Sequence, residues 1–335
     1  MADKPSIKLI STLTGFSAAT VSNALNNKKG VNKQTAEIIF NAARDCGYLS
    51  AAKIGGIKLV ICKSSGLVVS DTPFFASLVE GIETESRAAG YEITICNLTR
   101  DDPAYPQRLK EVLNDNTMAI LLLATELTEQ DAQAYKAALA PIVVLDNWFE
   151  QTDFDSVLIN NTDSVCKAVE YLAEKGHTNI GYLAGSHRIK NFFYREVGYR
   201  RALTNKGLDY RPEFRFLLSP TADGAYEDMM GLLKAKPALP TAFFADNDII
   251  ALGAMKALQQ YGIRLPDDVS IIGFDDMPFS SIASPALSTI HVYKQKMGQA
   301  AVRRLIEILK SGSRIKTKTL ICTDFVERES VRAYI

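Results

Sequence analysis

A short segment near the amino terminus carries small and polar side chains at the spacing of one helical face. They are Ala18, Ala19, Ser22, Asn23 and Asn26. Serine and asparagine side chains can hydrogen-bond base edges or phosphates, and an alanine can pack on a thymine methyl group. A purely structural helix usually exposes glutamate and lysine instead. The segment therefore indicates a helix that approaches DNA closely.

Three helical patterns position this segment. The first ends at Gly15, the second runs from Ala18 to Asn26 with Ser17 as its N-cap, and the third spans residues 33–45 with Asn32 as its cap. The predicted buried positions of the third helix are Ile38, Ile39 and Ala42. A helix, a tight turn and a second helix form the geometry that enters the major groove. By helical pattern alone, a small three-helix bundle of any function fits equally well.

From residue 58 onward, apolar strand-like runs alternate with amphipathic helices. The predicted strands are 58–62, 91–97, 118–125, 141–147, 179–185, 215–218, 241–246 and 269–276. The predicted helices are 74–89, 103–114, 128–139, 163–175, 191–206, 224–234 and 248–261. Such alternation predicts parallel sheets covered by helices on both sides, arranged here as two lobes. Ligands of such folds bind where the carboxyl ends of strands face a cleft.

The sequence lacks the usual signatures of an enzyme. It contains no GxGxxG, GxxxxGK[ST], GxSxG or HExxH motif. The three histidines, His177, His187 and His291, lie far apart, and the five cysteines form no CxxC pair. We therefore expect no catalytic residues, no metal and no cofactor, and we interpret the cysteines as reduced thiols.

The charge is distributed unevenly along the chain. Lys+Arg and Asp+Glu both number 38, yet residues 1–53 hold seven basic and three acidic side chains. This segment is therefore about +4 and the remainder about −4, which suits a DNA reader tethered to an acidic body. The first residues lack the apolar run of a signal peptide, and no apolar stretch reaches the length of a membrane span. We expect a cytoplasmic protein.

The chain resembles the lactose-repressor (LacI/GalR) family of transcriptional regulators over nearly its whole length. The headpiece hallmarks are GFSAATVSNALN at 15–26, V-x-x-x-T at 31–35 and A-x-x-x-GY at 43–48. Body hallmarks include TPFFASLVEGIE at 72–83, ADNDIIALGAMKAL at 245–258 and LPDDVSIIGFDD at 265–276. The resemblance implies a helix-turn-helix headpiece followed by an α/β two-lobed domain like that of periplasmic binding proteins. It also implies base contacts from Ala18, Ala19 and Asn23, and phosphate contacts from Ser17, Thr20 and Asn26.

The resemblance further implies an effector-binding cleft between the lobes. Matching motifs predicts as its contacts Phe74, Phe75, Asp146, Asn147, Trp148, Asn191, Arg195, Asn247 and Asp275. Aromatic rings can stack on the apolar face of a sugar, and the carboxylate, amide and guanidinium groups offer directional partners for hydroxyls. We therefore expect a sugar or short oligosaccharide. A purine remains the main alternative, because the same groups suit a nucleobase. A small-molecule binding protein with a non-functional headpiece is the alternative from another class.

The segment that joins headpiece and body departs from the family pattern. Family members normally have a proline-led segment that forms a hinge helix on DNA and wedges a leucine into the minor groove. Here the linker, 51–57, lacks that proline and contains Gly55 and Gly56, with Ile54 as the only apolar wedge candidate. We expect control through the spacing of two headpieces in a homodimer instead, with less DNA bending. An operator complex with ordered hinge helices and a side chain wedged between central base pairs would contradict this.

The resemblance also implies lobes that are discontinuous in sequence. We expect a headpiece over 1–50, an N-lobe formed by 58–160 plus 293–324, and a C-lobe formed by 161–292 plus 325–335. The expected partners are double-stranded operator DNA, a small-molecule effector and a second copy of the chain, with no membrane.

Overall fold

The headpiece folds as three short helices. The computed structural model describes residues 6–25, 30–46, 48, 54–69, 73–313 and 315–334. Its first helices are α1 (Ile7–Thr14), α2 (Ala18–Leu25) and α3 (Lys33–Asp45). Ser17 accepts a hydrogen bond from the backbone N–H of Thr20 at the start of α2, and Asn32 accepts one from that of Thr35 in α3. Both predicted N-caps are therefore present.

The buried face of α3 differs from the sequence prediction at one position. Its buried apolar residues are Ile39, Phe40 and Ala43, which pack with Val21 and Leu25 of α2. Ile38, which we expected to point inward, is 45% exposed. Positions 36, 39, 40 and 43 form one stripe at helical spacing, and Ile38 lies beside that stripe. The prediction was wrong because either of two adjacent isoleucines satisfies the apolar pattern.

The first lobe of the body, the N-lobe, contains a six-stranded parallel sheet in the order β11-β5-β4-β3-β1-β2. Its strands are β1 (Gly56–Lys63), β2 (Glu92–Thr99), β3 (Met118–Leu123), β4 (Ile142–Leu145), β5 (Asp155–Ile159) and β11 (Lys318–Ile321). Its helices are α4 (Pro73–Ala88), α5 (Tyr105–Asn114), α6 (Glu129–Tyr135) and α12 (Lys294–Ser311). Most residues of β3, β4 and β5 are buried, as expected for strands covered on both faces.

The second lobe, the C-lobe, contains a four-stranded parallel sheet in the order β7-β6-β8-β9. Its strands are β6 (Ile180–Gly185), β7 (Arg215–Leu218), β8 (Ala242–Ala245) and β9 (Ser270–Ile272). Its helices are α7 (Asn161–Glu174), α8 (Lys190–Asn205), α9 (Ala222–Lys234), α10 (Asp248–Gln260) and α11 (Pro278–Ile282). The predicted two-lobed fold with parallel sheets and flanking helices is confirmed.

The chain passes between the lobes at three places. It leaves the N-lobe after β5, returns before α12, and leaves again after β11. Beside these crossings, β10 (Thr289–His291) and β12 (Asp324–Val326) form a two-stranded antiparallel sheet. The expected linker, 51–57, ends too late, because Gly56 and Ile57 already pair with β2 and β3 as the first residues of β1.

Helices α4 and α12 cross so closely that a side chain at Gly81 has no space. A Cβ placed there would lie 2.2 Å from the backbone oxygen of Gln295. We expect Gly81→Ala to lower the free energy of unfolding by about 1–3 kcal/mol, because two packed backbones must separate. Gly231→Ala on α9 is the matched control, since a Cβ there meets nothing within 4 Å, and it should stabilise by about 0.4–1 kcal/mol. Urea denaturation of both variants tests this, and equal midpoints would contradict it.

Candidate functional site

The sheets of both lobes end at a shared cleft. Thr125 and Asp146 follow β3 and β4 in the N-lobe, and Asn247 and Asp275 follow β8 and β9 in the C-lobe. All four line a cavity of about 230 Å³, which we call the inner chamber. The carboxyl ends of parallel strands meet at one edge of a sheet. Each lobe therefore contributes polar groups from equivalent positions.

The structure brings most of the predicted effector contacts together. Those that line the inner chamber are Phe74, Phe75, Asp146, Asn191, Arg195, Asn247 and Asp275. Asn147 lines the adjoining cavity instead, and Trp148 lines neither of the two. The Asn147 side-chain Nδ2 donates to the carbonyls of Ala124 and Leu127, at 2.7 and 2.9 Å, so this amide braces the loop after β3.

Trp148 packs between two lysines rather than against the chamber. The Nζ atoms of Lys190 and Lys318 lie 3.7 and 4.7 Å from its ring centroid, and the Tyr194 ring lies 5.3 Å away. Both ammonium groups also donate to backbone carbonyls of the same loop. Stacked cations of this kind hold an indole ring in place. Trp148 therefore secures the loop after β4, and its stacking on an effector stays a prediction.

Asp146 is oriented by its neighbours from both lobes. The Thr125 hydroxyl donates to its Oδ2 at 2.7 Å, and the Asn191 amide donates to its Oδ1 at 2.9 Å. Burial raises the pKa of Asp146, and these hydrogen bonds and the Arg195 charge oppose that shift. Because Asn191 begins the C-lobe helix α8, this carboxylate links the lobes across the chamber.

Arg195 is held in the chamber by contacts with three neighbouring residues. Its Nε donates to Asn161 Oδ1 at 2.9 Å, and its Nη1 donates to the backbone carbonyl of Asp246. Its guanidinium carbon lies 3.7 Å from the ring centroid of Phe274. These contacts leave the Nη2 edge directed toward Asp275, with 3.6 Å between Nη2 and Oδ1.

Asp275 presents an unsatisfied carboxylate to the chamber. Its Oδ1 is buried and has no hydrogen-bond partner, and the 3.6 Å separation from Arg195 exceeds a good hydrogen bond. Burial raises the pKa of Asp275 to about 6, although the Arg195 and Lys294 charges oppose that shift. A buried unpaired oxygen costs free energy unless a ligand donates to it.

Two of the chamber's aspartates have an unusual backbone conformation. The φ angle is 62° at Asp146 and 114° at Asp275, and the following Asp276 has φ 51°. Side chains rarely adopt positive φ, although Asp and Asn tolerate it better than others. Sharp turns at the ends of β4 and β9 therefore aim both carboxylates into the cleft.

Asn247 and Asp248 divide two roles at the start of α10. The Asn247 side chain caps the helix by accepting from the N–H of Ile250 at 2.9 Å. Asp248 instead accepts from the N–H of Met277 at 2.7 Å and from the Ser280 hydroxyl at 2.6 Å. Burial, followed by the Asp275 charge, raises the pKa of Asp248 to about 7. Asp248 therefore fixes the loop that follows Asp275.

The predicted DNA-reading residues lie on one side of the headpiece. Ser17, Ala18 and Ala19 are exposed, and Thr20, Ser22 and Asn23 are partly exposed. Asn26 lies outside the residues that the structure describes. Because Val21 and Leu25 are buried, the opposite face of α2 holds it in the headpiece core.

The headpiece rests directly on the N-lobe. Leu139, in the loop after α6, is 9% exposed and belongs to the apolar cluster formed by Ile10, Leu25 and Ile39. The Asn116 amide donates to the backbone carbonyl of Leu25 at 3.1 Å. The hydrogen bond from Asn116 meets the carboxyl end of α2, whereas the start of that helix is exposed.

Comparisons with known proteins identify the family to which this architecture belongs. A family model described as a periplasmic binding protein-like domain matches residues 169–331. The HTH-type transcriptional repressor PurR of Mannheimia succiniciproducens is 30% identical over 329 residues, which is 97% of this chain and 98% of that protein. The chain belongs to the LacI/GalR family. PurR of Haemophilus influenzae is likewise 30% identical, over 98% of this chain and 99% of its own.

Solved structures of LacI/GalR proteins span the whole chain. The lac repressor dimer bound to operator and the anti-inducer ONPF matches with a TM-score of 0.70 and 26% identity, over 99% of this chain and all of that one. A complex of the transcriptional regulator CelR with cellobiose has a TM-score of 0.74 at 23% identity, over 98% of this chain and 100% of its own. At that identity, the CelR likeness concerns the fold alone.

In this LacI/GalR member, the wedge candidate of the linker, Ile54, is not available for insertion between base pairs. Ile54 is 7% exposed and packs in the apolar core of the body. The N–H of Gly55 donates to the carbonyl of Thr117 at 2.8 Å, immediately before β1. Residues 51–53 lie outside the described part of the chain. In this arrangement Ile54 is a core residue of the N-lobe.

Sequence reasoning missed several residues that line the inner chamber. Thr125 ends the predicted strand 118–125, and the strand-end rule that singled out Asp146 applies to it equally. Thr221 lines the chamber as the N-cap of α9. A threonine after a proline, just before a helical pattern, is the signal that could have found it. Ile189, Phe192, Ile249 and Met277 complete the apolar wall and carry no distinguishing signal.

The described residues form neither a metal site nor a membrane-spanning helix. No group of His, Cys, Asp and Glu side chains among them is arranged to hold a metal ion. No helix within the same ranges is both long and apolar enough to cross a membrane.

Proposed function

We propose that this repressor binds operator DNA as a homodimer and that a neutral, ring-shaped polyhydroxylated effector, a sugar, controls its affinity from the inner chamber. The observation that carries the proposal is the buried Oδ1 of Asp275 between the lobes, which lies 3.6 Å from the Arg195 guanidinium but accepts no hydrogen bond. A ligand hydroxyl that donates to this oxygen removes the cost of leaving it unsatisfied. Such a ligand also contacts both lobes.

The chamber's lining favours a sugar. Its planar polar side chains are Asp146, Asn191, Arg195, Asn247 and Asp275, and two threonines join them. This density of donors and acceptors suits a ring that carries several hydroxyl groups. Phe74 and Phe75 meet edge to face, with 5.1 Å between centroids, so they offer apolar surface without a parallel sandwich. A volume of about 230 Å³ lies below the range of about 300–1,000 Å³ for drug-sized ligands, which favours a single ring.

A purine is the second candidate. The relatives with 30% identity are named PurR, after purine-responsive repression. A nucleobase also pairs with Asp and Arg side chains and packs on Phe rings. The two effector classes differ in how many hydrogen bonds they offer, and direct binding distinguishes them.

DNA binding belongs to the exposed face of α2. In this proposal Ala18, Ala19 and Asn23 read bases, and Ser17, Thr20, Ser22 and Asn26 contribute further polar contacts. The lac repressor structure with operator is a dimer, and a headpiece of about +4 charge needs two half-sites. We further propose a cytoplasmic location and no catalytic activity, in keeping with relatives that are all named as repressors.

The domain organisation follows the crossings of the chain. We propose a headpiece over 1–50, a linker that ends at residue 55, and lobes of 56–160 with 293–324 and 161–292 with 325–335. Without a wedge at Ile54, effector-dependent spacing of the two headpieces is the proposed means of control.

A thermal-shift screen against monosaccharides, short oligosaccharides and nucleobases tests the effector class. A ligand that binds only the folded state stabilises it by an amount that grows with the logarithm of its excess over Kd, about 2.7 kcal/mol at a hundredfold excess, and so raises Tm. We expect a monosaccharide to raise Tm and this shift to vanish in Arg195→Ala. A response to nucleobases alone would replace the sugar by a purine, and silence from all three classes would contradict both candidates.

A further inference from the structure

The surface on which the headpiece rests lies at the amino ends of two adjacent strands of the N-lobe. Asn116 precedes β3 by two residues, and Leu139 precedes β4 by three. Among the residues that the structure describes, Leu139 is the one from the body that belongs to the apolar cluster of the headpiece. We call residues 113–117 together with Leu139 the headpiece socket. Thr125 and Asp146 reach the inner chamber from the carboxyl ends of the same two strands.

The socket completes the packing of the headpiece. The cluster that Leu139 joins contains buried residues from each of the three helices, namely Ile10, Leu25 and Ile39. A headpiece of about 50 residues has a small core, because small domains bury a smaller fraction of their surface than large ones. Leu139 therefore adds apolar burial where the headpiece itself has little to offer.

The socket also caps the helix that is proposed to read DNA. The last carbonyl groups of a helix have no hydrogen-bond partner within the helix. In α2 the carbonyl of its last residue, Leu25, accepts from the Asn116 side chain at 3.1 Å. The N-lobe therefore holds α2 by its carboxyl end, while Ala18 and Ala19 at its other end are exposed.

Bonds within the N-lobe fix the shape of the socket. Asp115 accepts from Lys58 Nζ at 2.6 Å and from the N–H and hydroxyl of Thr117 at 2.8 and 2.6 Å. Burial alone would raise the pKa of Asp115, yet these bonds hold it below its usual value. The N–H of Leu139 donates to the carbonyl of Leu113 at 2.9 Å, which joins the two parts of the socket. The socket therefore has a definite shape that does not depend on the headpiece.

The chain that connects headpiece and body enters the N-lobe beside the socket. Tyr48 packs against the headpiece cluster, and Ile54 packs in the core of the body. The N–H of Gly55 donates to the carbonyl of Thr117, which is a socket residue. Only residues 49–53 separate the side chain packed on the headpiece from the one packed in the N-lobe. The connecting chain and the socket therefore attach the headpiece to the same part of the N-lobe.

Strands β3 and β4 make a stiff connection between the socket and the inner chamber. They pair in parallel along four residues each, and nearly all their side chains are buried. Buried, paired strands belong to the part of a domain that resists local opening. Nine residues separate Asn116 from Thr125 and seven separate Leu139 from Asp146, which is about 30 and 23 Å of extended chain. A rotation of the N-lobe at the chamber therefore also rotates the socket.

From these observations we propose that the headpiece and the N-lobe form one rigid unit before DNA binds, in which the socket, and not a hinge helix, sets the orientation of α2. The rigid unit itself requires no effector. Its consequence for control rests on the proposed function, because a ligand in the inner chamber must change the angle between the lobes. Each headpiece then turns together with its own N-lobe, and the spacing of the two headpieces changes.

Nuclear magnetic relaxation of backbone amides in the full-length protein, without DNA or effector, tests the inference. We expect the amides of α2 and those of β3 to give the same rotational correlation time, because a rigid unit tumbles as one body. In Leu139→Ser/Asn116→Ala the correlation time of α2 should fall at least about threefold, because a released headpiece of about 50 residues reorients faster than the whole molecule. The correlation time of β3 should stay unchanged.

The matched control is Asn114→Ala/Ala137→Ser, because both residues are exposed and lie two residues before the socket positions that are changed. It should keep the two correlation times equal. If the released headpiece unfolds, its amide signals lose their dispersion in the first variant but not in the control, which supports the part of Leu139 in completing the headpiece core.

Two outcomes would overturn the inference. The first is a correlation time for α2 well below that of β3 in the unchanged protein, and the proposed binding of DNA and sugar would then still stand. The second is equal values in the unchanged protein and in both variants, which would assign the rigidity to the connecting chain and not to the socket. Because no effector is added, a protein that binds none of the screened ligands would lose the proposed function and keep this inference.

Discussion

Asp275→Asn is expected to weaken effector binding by about a hundredfold while stabilising the effector-free protein at pH 7.5. The unpaired Oδ1 gives the carboxylate its affinity for a ligand donor, and bonds to charged groups contribute about 1.5–3 kcal/mol. Asparagine has the same shape and tolerates the positive φ of this position. The substitution therefore removes a buried charge without disturbing the backbone.

The stabilising effect depends on pH with a definite sign. The pKa of Asp275 rises from 3.8 to about 6 on folding, so between these values the folded chain binds a proton that the unfolded chain has lost. The free energy of unfolding therefore falls as pH rises from about 4 to 6 and then levels off. The raised pKa of Asp275 changes the free energy of unfolding by at most about 3 kcal/mol over this range. In Asp275→Asn this contribution is absent, and the similar one from Asp248 becomes smaller, because the Asp275 charge no longer raises the pKa of Asp248.

Calorimetric unfolding of both proteins between pH 4 and 8 measures the difference. The Tm of Asp275→Asn should exceed that of the unchanged protein, and the difference should grow as the pH rises to 6. Asp267→Asn is the control, because Asp267 is exposed in the same lobe, with its nearest cations at 3.6 and 3.9 Å. A parallel pH dependence for Asp275→Asn and the unchanged protein would show that Asp275 is charged at no cost in the folded chain.

Leu139→Asp is expected to weaken operator binding by at least about tenfold and leave effector binding intact. Leu139 joins the apolar cluster of the headpiece, where a carboxylate is strongly disfavoured. The headpiece then separates from the N-lobe and remains attached to the body by the linker alone. Two headpieces without fixed orientation lose much of the advantage of simultaneous binding to both half-sites.

Fluorescence anisotropy with a genomic DNA fragment that the unchanged protein selects provides the measurement. Ala137→Asp is the matched control, because it adds the same charge two residues earlier at an exposed position. The control accounts for repulsion between the new carboxylate and DNA. Equal affinities for the two variants would mean that the contact between headpiece and N-lobe has no part in operator binding.

The sequence predicts best the features that local chemistry decides. The caps at Ser17 and Asn32 and the end of α1 at Gly15 depend on hydrogen bonds within a few residues. The buried strands β3 and β4 can be recognised in the sequence as continuous apolar runs. Asp146 and Asp275 could be placed in the cleft because both follow such strands.

Features that depend on distant partners could not be predicted in this way. Strand β5 carries Asp155, a fully buried charge that is tolerated because Arg304 and Lys316 bind it at 2.7 and 3.0 Å. Those partners lie about 150 residues further along the chain, so no local pattern reveals the strand. The position of Trp148 likewise depends on Lys190 and Lys318, from two other segments. The sequence around Trp148 therefore predicts an aromatic residue near a strand end but not what its ring packs against.

The positive φ angles at Asp146 and Asp275 bear on how new effector responses can be engineered. A β-branched or bulky residue at either position would strain the turn that aims it. In a directed-evolution library that randomises these two codons, most variants would carry about 1–3 kcal/mol of backbone strain per position, and Asp, Asn and Gly are the residues that avoid it. Ala222 and Ile249 line the same chamber from α9 and α10, where the backbone accepts many side chains. Diversity placed at those helical positions would change which molecule the repressor senses while preserving the turns that make it a sensor.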